Sequence, residues 1–283
     1  MHDPFRQFLV ESNIFELAVN NLTPVDVQDR FLDFYSTWIN SSQLNQFTGL
    51  ENFANRYVSL GVTQGLDDFI TYCLKTNRKI KIFKGEYPYT REIAPSIAIE
   101  DSTWSSGDAV IVSCPFSATG DIHPEWHNLI NTCNQLDIPV FVDCAFFGTC
   151  RDIQVDFNQP CIDTVAFSPT KGLNSGYFRT GIVFTQRQGK DCSLSILSDW
   201  HHGIHFHTYL AYYLMREFGP DTIPNTYTDT QYRVCEHYGL MPTKTVHLAL
   251  GDANWNHFTR DGVCNRVGLR NAIRDYAYTG QVK

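Results

Sequence analysis

The sequence predicts an α/β fold: a three-layer sandwich with a mainly parallel sheet, followed by a small C-terminal α+β domain. Three observations predict it. Short runs rich in Val, Ile and Phe recur between residues 79 and 185. Most of these runs are continuously apolar rather than alternating, which suits strands covered on both faces. Between them lie segments whose apolar residues have helical spacing, the pattern of helices layered on a sheet.

In chain order, residues 1 to about 56 read as helices and loops, with 1–45 an N-terminal helical segment. Thr63–Lys75 (TQGLDDFITYCLK) has helical spacing. Strand candidates follow at Lys79–Phe83 (KIKIF), Ser96–Glu100 (SIAIE) and Ala109–Cys114 (AVIVSC). Pro124–Leu136 (PEWHNLINTCNQL) is helical in pattern, and the strand candidates Pro139–Asp143, Thr164–Ser168 and Gly181–Thr185 come after it. Residues 46–200 therefore form the expected large domain. Residues 201–283 form a long helix and the small domain, with Ile204–Phe218 (IHFHTYLAYYLMREF) as the helix. Thr245–Leu250 and Arg266–Leu269 are the strand candidates of that tail. No internal repeat or low-complexity segment is visible.

Composition narrows the function classes. The chain of 283 residues carries a net charge of −8 and has no Lys/Arg-rich run, so a nucleic-acid-binding face is not expected. The nine cysteines include no CxxC pair, and several lie in apolar strand-like runs. That pattern fits reduced thiols rather than a disulfide framework or a zinc site. The N-terminal residues lack a basic stretch followed by a long apolar one, and no apolar run has the length of a membrane span. A cytoplasmic protein with neither membrane nor nucleic-acid partners is expected.

Three stations lie at the C-terminal ends of predicted strands, where open α/β sheets bind ligands. The first is Ser168-Pro-Thr170-Lys171, with Arg179 eight residues on (SPTKGLNSGYFRTG). A lysine behind a buried strand is partly desolvated, which lowers its pKa and frees the amine to attack an aldehyde. Ser168 and Arg179 suit a phosphate, Arg179 through its planar fork. The second is Asp143 in PVFVDCAFFG, a carboxylate that needs a cationic partner if buried, such as a protonated pyridine nitrogen. The third is Gly61-Val62-Thr63, a glycine turn opening a helix, whose free N–H groups form an anion site. Each station has a plainer reading: a loop lysine with a surface arginine, a turn aspartate, and an ordinary helix cap.

The order of the three stations resembles that of the fold-type I pyridoxal-5′-phosphate (PLP) enzymes, specifically the class I and II aminotransferases, over about residues 45–190. The resemblance implies PLP as cofactor, a PLP-dependent transferase-like fold, and Lys171 as the Schiff-base lysine. It implies that Gly61, Val62, Thr63, Ser168, Thr170 and Arg179 hold the phosphate end. Asp143 falls on the aspartate that meets the ring nitrogen, and Tyr87 on the aromatic that stacks on the ring. VSCPFSATGDIHPE resembles the family's NPNNPTG segment, retaining Pro115, Thr119 and Gly120. Ser117 stands where the family usually has asparagine and Phe146 where it has tyrosine, the two groups that meet the cofactor's phenolic oxygen; the resemblance implies Ser117 as a cofactor-binding residue, and phenylalanine cannot donate a hydrogen bond. Cys144 replaces a glutamate, and Leu44 replaces a tyrosine that reaches the neighbouring subunit.

The family binds the substrate carboxylate with a small-domain arginine, and Arg266 in RVGLRNAI matches it, with Arg270 as a nearby competitor. The implied activity is transfer of an amino group between an amino acid and a keto acid by a homodimer, with Lys171 and Asp143 as the catalytic pair. A PLP-dependent lyase, decarboxylase or condensing enzyme acting on an amino acid or amine is the alternative. His201, His202, His205 and His207 form a cluster, and the i, i+4 spacing of His201 and His205 could clasp a metal. With no carboxylate or cysteine nearby, packing is the expected role and no metal site is expected.

Overall fold

The computed structural model describes residues 4–14, 16 and 24–282. In chain order its elements are α1 (Pro4–Glu11), α2 (Pro24–Asn40), β1 (Gln46–Thr48), β2 (Asn55–Ser59), α3 (Val62–Lys75), β3 (Lys79–Ile82), α4 (Tyr89–Ile93), β4 (Ser96–Ala98), β5 (Asp108–Ser113), α5 (Trp126–Leu136) and β6 (Val140–Cys144). They continue with β7 (Gln154–Asp156), β8 (Ile162–Phe167), β9 (Gly181–Thr185), α6 (Ser193–Asp199), α7 (His205–Glu217), α8 (Thr222–Tyr238), β10 (Met241–Pro242), β11 (Leu248–Gly251), β12 (Thr259–Arg260), β13 (Cys264–Gly268) and α9 (Arg270–Thr279).

A seven-stranded sheet runs in the order β2-β9-β8-β6-β5-β3-β4. Strands β8, β6, β5, β3 and β4 are mutually parallel, and β9 is antiparallel to both of its neighbours. Every residue of β5, β6 and β9 is buried. Their side chains divide by the two-residue period of a strand. Val110, Val112, Val140, Val142, Ile182 and Phe184 join the main core with α2, α5 and α7. Ala109, Ile111, Phe141, Ala166 and Val183 join a second core with Leu66, Phe69 and Cys73 of α3. Helices thus cover both faces, giving the expected three layers. Arg187 pins α3 to the sheet through buried ion pairs to Asp68 (2.9 Å) and Asp163 (2.8 Å).

The C-terminal part is a four-stranded antiparallel sheet, β10-β11-β13-β12, backed by α8 and α9. Val234, Cys235, Val246, Ala249, Val267 and Ile273 form its core.

Three details differ from the sequence expectation. Residues 46–59 hold two strands rather than loops, because β1 pairs with β7 and β2 with β9, partners about 100 residues away or more. The Ser96–Glu100 strand is only Ser96–Ala98 and ends in a 3-10 turn. The long helix stops at Glu217, just before Gly219 and Pro220, a pair unsuited to continuing a helix. Its apolar face does not serve the small domain. Tyr209, Leu210, Ala211, Leu214 and Met215 are buried in the main core, and Tyr212 meets Phe34 of α2 edge to face at 5.3 Å. That face is therefore already covered within the chain and gives no support to a dimer interface.

Candidate active site

Strand pairing carries the three stations to one end of the sheet. Ser113 at the end of β5 is in register with Asp143 of β6, and Asp143 with Ala166 of β8. Because β9 runs the opposite way, its first residue, Gly181, lies at that same end, beside Ser59 at the end of β2. The turns after β2, β6 and β8 and the turn before β9 thus share one edge. The fit between them is close: a Cβ on Gly181 would lie 2.4 Å from the Phe167 carbonyl and 2.9 Å from Gly61 Cα.

Gly61, Ser168 and Arg179 converge there. Gly61 has φ +81° and precedes the first turn of α3, where backbone N–H groups lack intrahelical acceptors. A Cβ at Gly61 would stand 3.3 Å from Ser168 Oγ and 3.5 Å from Arg179 Nη2. Arg179 Nη2 donates to Thr63 Oγ1 at 3.3 Å. Ser168 Oγ donates to the Thr180 carbonyl (2.9 Å) and lies 2.7 Å from Thr170 Oγ1. The set offers N–H groups, hydroxyls and a guanidinium around a point kept free of a side chain, the composition of a phosphate cradle.

Lys171 lies in the turn after β8, with its Nζ 5.1 Å from the centre of the Phe146 ring. The side chain opens onto solvent, yet enough protein surrounds the amine that burial depresses its pKa. Asp143 opposes that depression, while Arg179 and Arg266 add to it. Asp143 is 9% exposed. Burial raises its pKa, against the opposing effects of Lys171 and of the Ala145 N–H that donates to Oδ1 at 2.7 Å. A buried carboxylate held by that backbone hydrogen bond, with an amine nearby, is suited to a cationic partner.

The residues expected on the substrate side come mainly from the C-terminal part. Arg266 on β13 is half-buried and donates through Nη1 to the Ser117 carbonyl at 2.6 Å, with Ser117 Oγ at 3.4 Å. Burial, then Arg260, brings its pKa down to about 10. Arg270, at the start of α9, donates to Asn174 in the loop after Lys171. Ser117 is buried, and its hydroxyl faces Arg266. Tyr87 is 41% exposed, and its ring stacks on Tyr89 at 6.0 Å.

Sequence reasoning missed His247. It lies in the turn before β11 and meets Phe146 edge to face at 5.3 Å. Burial, reinforced by Lys171, Arg266 and Arg270, pushes its pKa down to about 3, so a neutral imidazole stands among three cations. Nothing in KTVHLAL signals this, since the histidine acquires its neighbours only through the fold. In the cluster at 201–207, His207 Nδ1 donates to the Arg179 carbonyl (3.1 Å), and His205 Nε2 lies 3.2 Å from the His201 carbonyl. Among the described residues no group of His, Cys, Asp and Glu is arranged to hold a metal. All nine cysteines are free, and eight are buried. No helix among the described residues is long and apolar enough to cross a membrane.

Residues 96–221 match the family model described as aminotransferase class I and II. No curated protein matches the chain in sequence. Among solved structures, a PLP-bound C-S lyase from Staphylococcus hominis aligns with a TM-score of 0.57 at 14% identity, covering 86% of this chain and 73% of that one. An aminotransferase from Staphylococcus aureus aligns with a TM-score of 0.59 at 13% identity, covering 86% and 74%. The aspartate aminotransferase of Thermus thermophilus solved with maleate aligns with a TM-score of 0.58 at 13% identity, covering 79% and 75%. The chain shares the fold of these solved structures, and the match to the aminotransferase class I and II model covers residues 96–221, somewhat less than half of the chain.

Proposed function

We propose that the protein is a PLP-dependent aminotransferase that moves an amino group between an amino acid and a keto acid. The observation that carries the reading is the convergence of Lys171, Asp143 and the Gly61–Ser168–Arg179 cradle on one sheet end. These residues fit PLP at three points. The cradle, with Val62 and Thr63, would hold the phosphate. Asp143 would meet the ring nitrogen, and Lys171 the aldehyde carbon.

When bound, PLP supplies an electron sink for negative charge on the substrate carbon. The chain's own residues supply the rest. The depressed pKa of Lys171 leaves more of its amine neutral, and so nucleophilic, at neutral pH. Once released, Nζ can take a proton from the substrate carbon and return one, acting as base and then acid. A cation placed against Asp143 reverses the burial effect and keeps the carboxylate ionised, so it can hold a ring proton. Arg266 spends Nη1 on the Ser117 carbonyl and retains its other guanidinium nitrogens for a substrate carboxylate. Tyr87 would stack on the ring after leaving Tyr89. We include a homodimer and a cytoplasmic location in the proposal, as expected from the family resemblance and from the reduced-thiol sequence pattern.

Phe146 favours a second reading, a PLP-dependent lyase. It occupies the side of Lys171 where a hydroxyl donor would tune the amine, and it cannot donate. One experiment separates the two. For an aminotransferase, purified protein with PLP is yellow, an amino acid bleaches the band, and a keto acid restores it. Release of product without bleaching supports the lyase. Borohydride fixation of PLP to a peptide other than the one containing Lys171 would overturn both.

A further inference from the structure

Glu86 is a buried carboxylate with no part in the chemistry above. It is 1% exposed, in the turn after β3. Its Oε1 accepts from the Tyr87 N–H at 2.7 Å, and its Oε2 from the Ser113 N–H at 2.7 Å. The Ser113 hydroxyl also donates to Oε1. Ser113 Oγ in turn accepts the Ser117 N–H at 2.8 Å, and the Ser117 carbonyl accepts Arg266 Nη1 at 2.6 Å. A continuous hydrogen-bonded path therefore runs from Glu86 through Ser113 and Ser117 to Arg266.

The end of that path is where the C-terminal part meets the sheet. Three contacts secure the turn at 117–120: Arg266 to the Ser117 carbonyl, Cys264 Sγ to the Ala118 carbonyl (3.3 Å), and Thr245 Oγ1 to the Gly120 carbonyl (2.9 Å). Nearby, Asp261 accepts from the Gly85 N–H at 2.8 Å. Glu86 thus ties the inner side of this turn to β5, while Arg266 grips its outer side. A carboxylate buried in apolar surroundings is costly, and burial with the neighbouring Asp143 pushes its pKa up to about 7 against three donors that favour the charge. Its removal would leave the buried Ser113 N–H, and the partly buried Tyr87 N–H, without this acceptor.

We propose that Glu86 is a positioning residue that, through Ser113, fixes the Ser117 turn and so aims Arg266 at the carboxylate of the substrate. The inference rests on the reading of Arg266 given above. It is tested on two independent levels with the full-length chain.

The first level needs no cofactor. Amide hydrogen exchange is compared for wild type, Glu86→Gln and Glu86→Ala. Faster exchange at Ser113 and Ser117, by about tenfold or more, is expected in both variants, with no change around Arg187. Unchanged exchange at Ser117 overturns the proposal.

The second level uses PLP-loaded protein and propionate as a non-reactive carboxylate, read by the absorbance of the bound cofactor. Glu86→Ala should raise the propionate Kd about fivefold or more and leave the PLP Kd within about threefold. Combined with Arg266→Lys, it should add less than its separate effect, as for two residues acting on one contact. Equal losses of PLP and propionate affinity, or fully additive losses, show a general structural role and overturn the proposal. If Glu86→Ala does not fold, Glu86→Gln, of equal size, carries the same comparison. If wild type fails to fix PLP at Lys171, the aminotransferase reading fails, and the exchange experiment alone decides the role of Glu86.

Discussion

The two halves of the candidate site are built differently. The cofactor half draws on the turns after β2, β6 and β8 and on Arg179 just before β9, and strand register sets its geometry. The substrate half draws on β13, the start of α9, the turn before β11 and the 117–120 turn, and it is set by packing between the sheet and the C-terminal part. The first half is nearly rigid once the sheet forms. The second depends on side-chain contacts between segments up to 149 residues apart. Substitutions in the first half should therefore remove chemistry or cofactor, and those in the second should change which molecule binds.

Lys171→Ala should have the largest effect. It would remove both the proposed covalent anchor and the proposed proton carrier, and proton transfer by a positioned group alone contributes roughly 10²–10⁴-fold. Turnover within tenfold of wild type would show that the wrong lysine has been assigned. Asp143→Ala should come next. PLP should still bind through the Gly61 cradle and colour the protein, while most activity is lost; near-normal turnover would remove Asp143 from the ring nitrogen.

Arg266→Ala sharpens the contrast between the halves. It should lower kcat/KM for amino acids by at least about tenfold, equivalent to ~1.4 kcal/mol, and spare amines without a carboxylate. Arg266→Lys should also weaken amino-acid binding, because an ammonium cannot copy the two-pronged fork. Arg270→Ala is the control; a carboxylate-specific loss there instead would move the contact from β13 to α9. Gly61→Ala should act only on the cofactor half. A side chain at φ +81° is strained, typically by on the order of 1–3 kcal/mol, and its Cβ enters the cradle. Weaker PLP binding, with kcat of the saturated protein preserved, is the expected result of a phosphate titration series.

The smallest effect concerns His247 and is read as stability. Its folded pKa, about 3, lies below the usual histidine value near 6.5. The unfolded chain therefore binds the proton first as pH falls, and the stability present above about pH 6.5 is lost progressively on the way to pH 3. His247→Gln should flatten that acid limb in a Tm-against-pH series. Parallel curves for the two proteins would place the imidazole in a more solvated setting.

Most of the cofactor half was legible in the sequence. A continuously apolar strand fixes where its own end falls, so Lys171 and Asp143 could each be assigned to a strand end from local pattern, whereas the strand before Gly61, β2, is not continuously apolar and gave no such signal. The meeting of Gly61 and Arg179 at Ser168 was expected only from the family resemblance, not from spacing. The substrate half was less legible. Arg266 was found only by resemblance, and His247 and Glu86 gave no signal, because a buried histidine or glutamate is defined by neighbours far along the chain. The α7 helix was legible from its apolar residues, but the partner that covers it, α2, was not.

The sequence by itself determined strands β3, β5, β6, β8 and β9, helices α3, α5 and α7, the three-layer class and the positions of the chemically distinctive residues. These follow from periodicity, glycine conformations and short-range spacing, which are properties of a few consecutive residues. Only the tertiary structure decided that β9 runs against its neighbours, that Arg266 reaches Ser117, and that His247 sits neutral among cations. Those outcomes depend on desolvation and on contacts between distant segments. Both are set by the packing of the whole chain rather than by any local pattern.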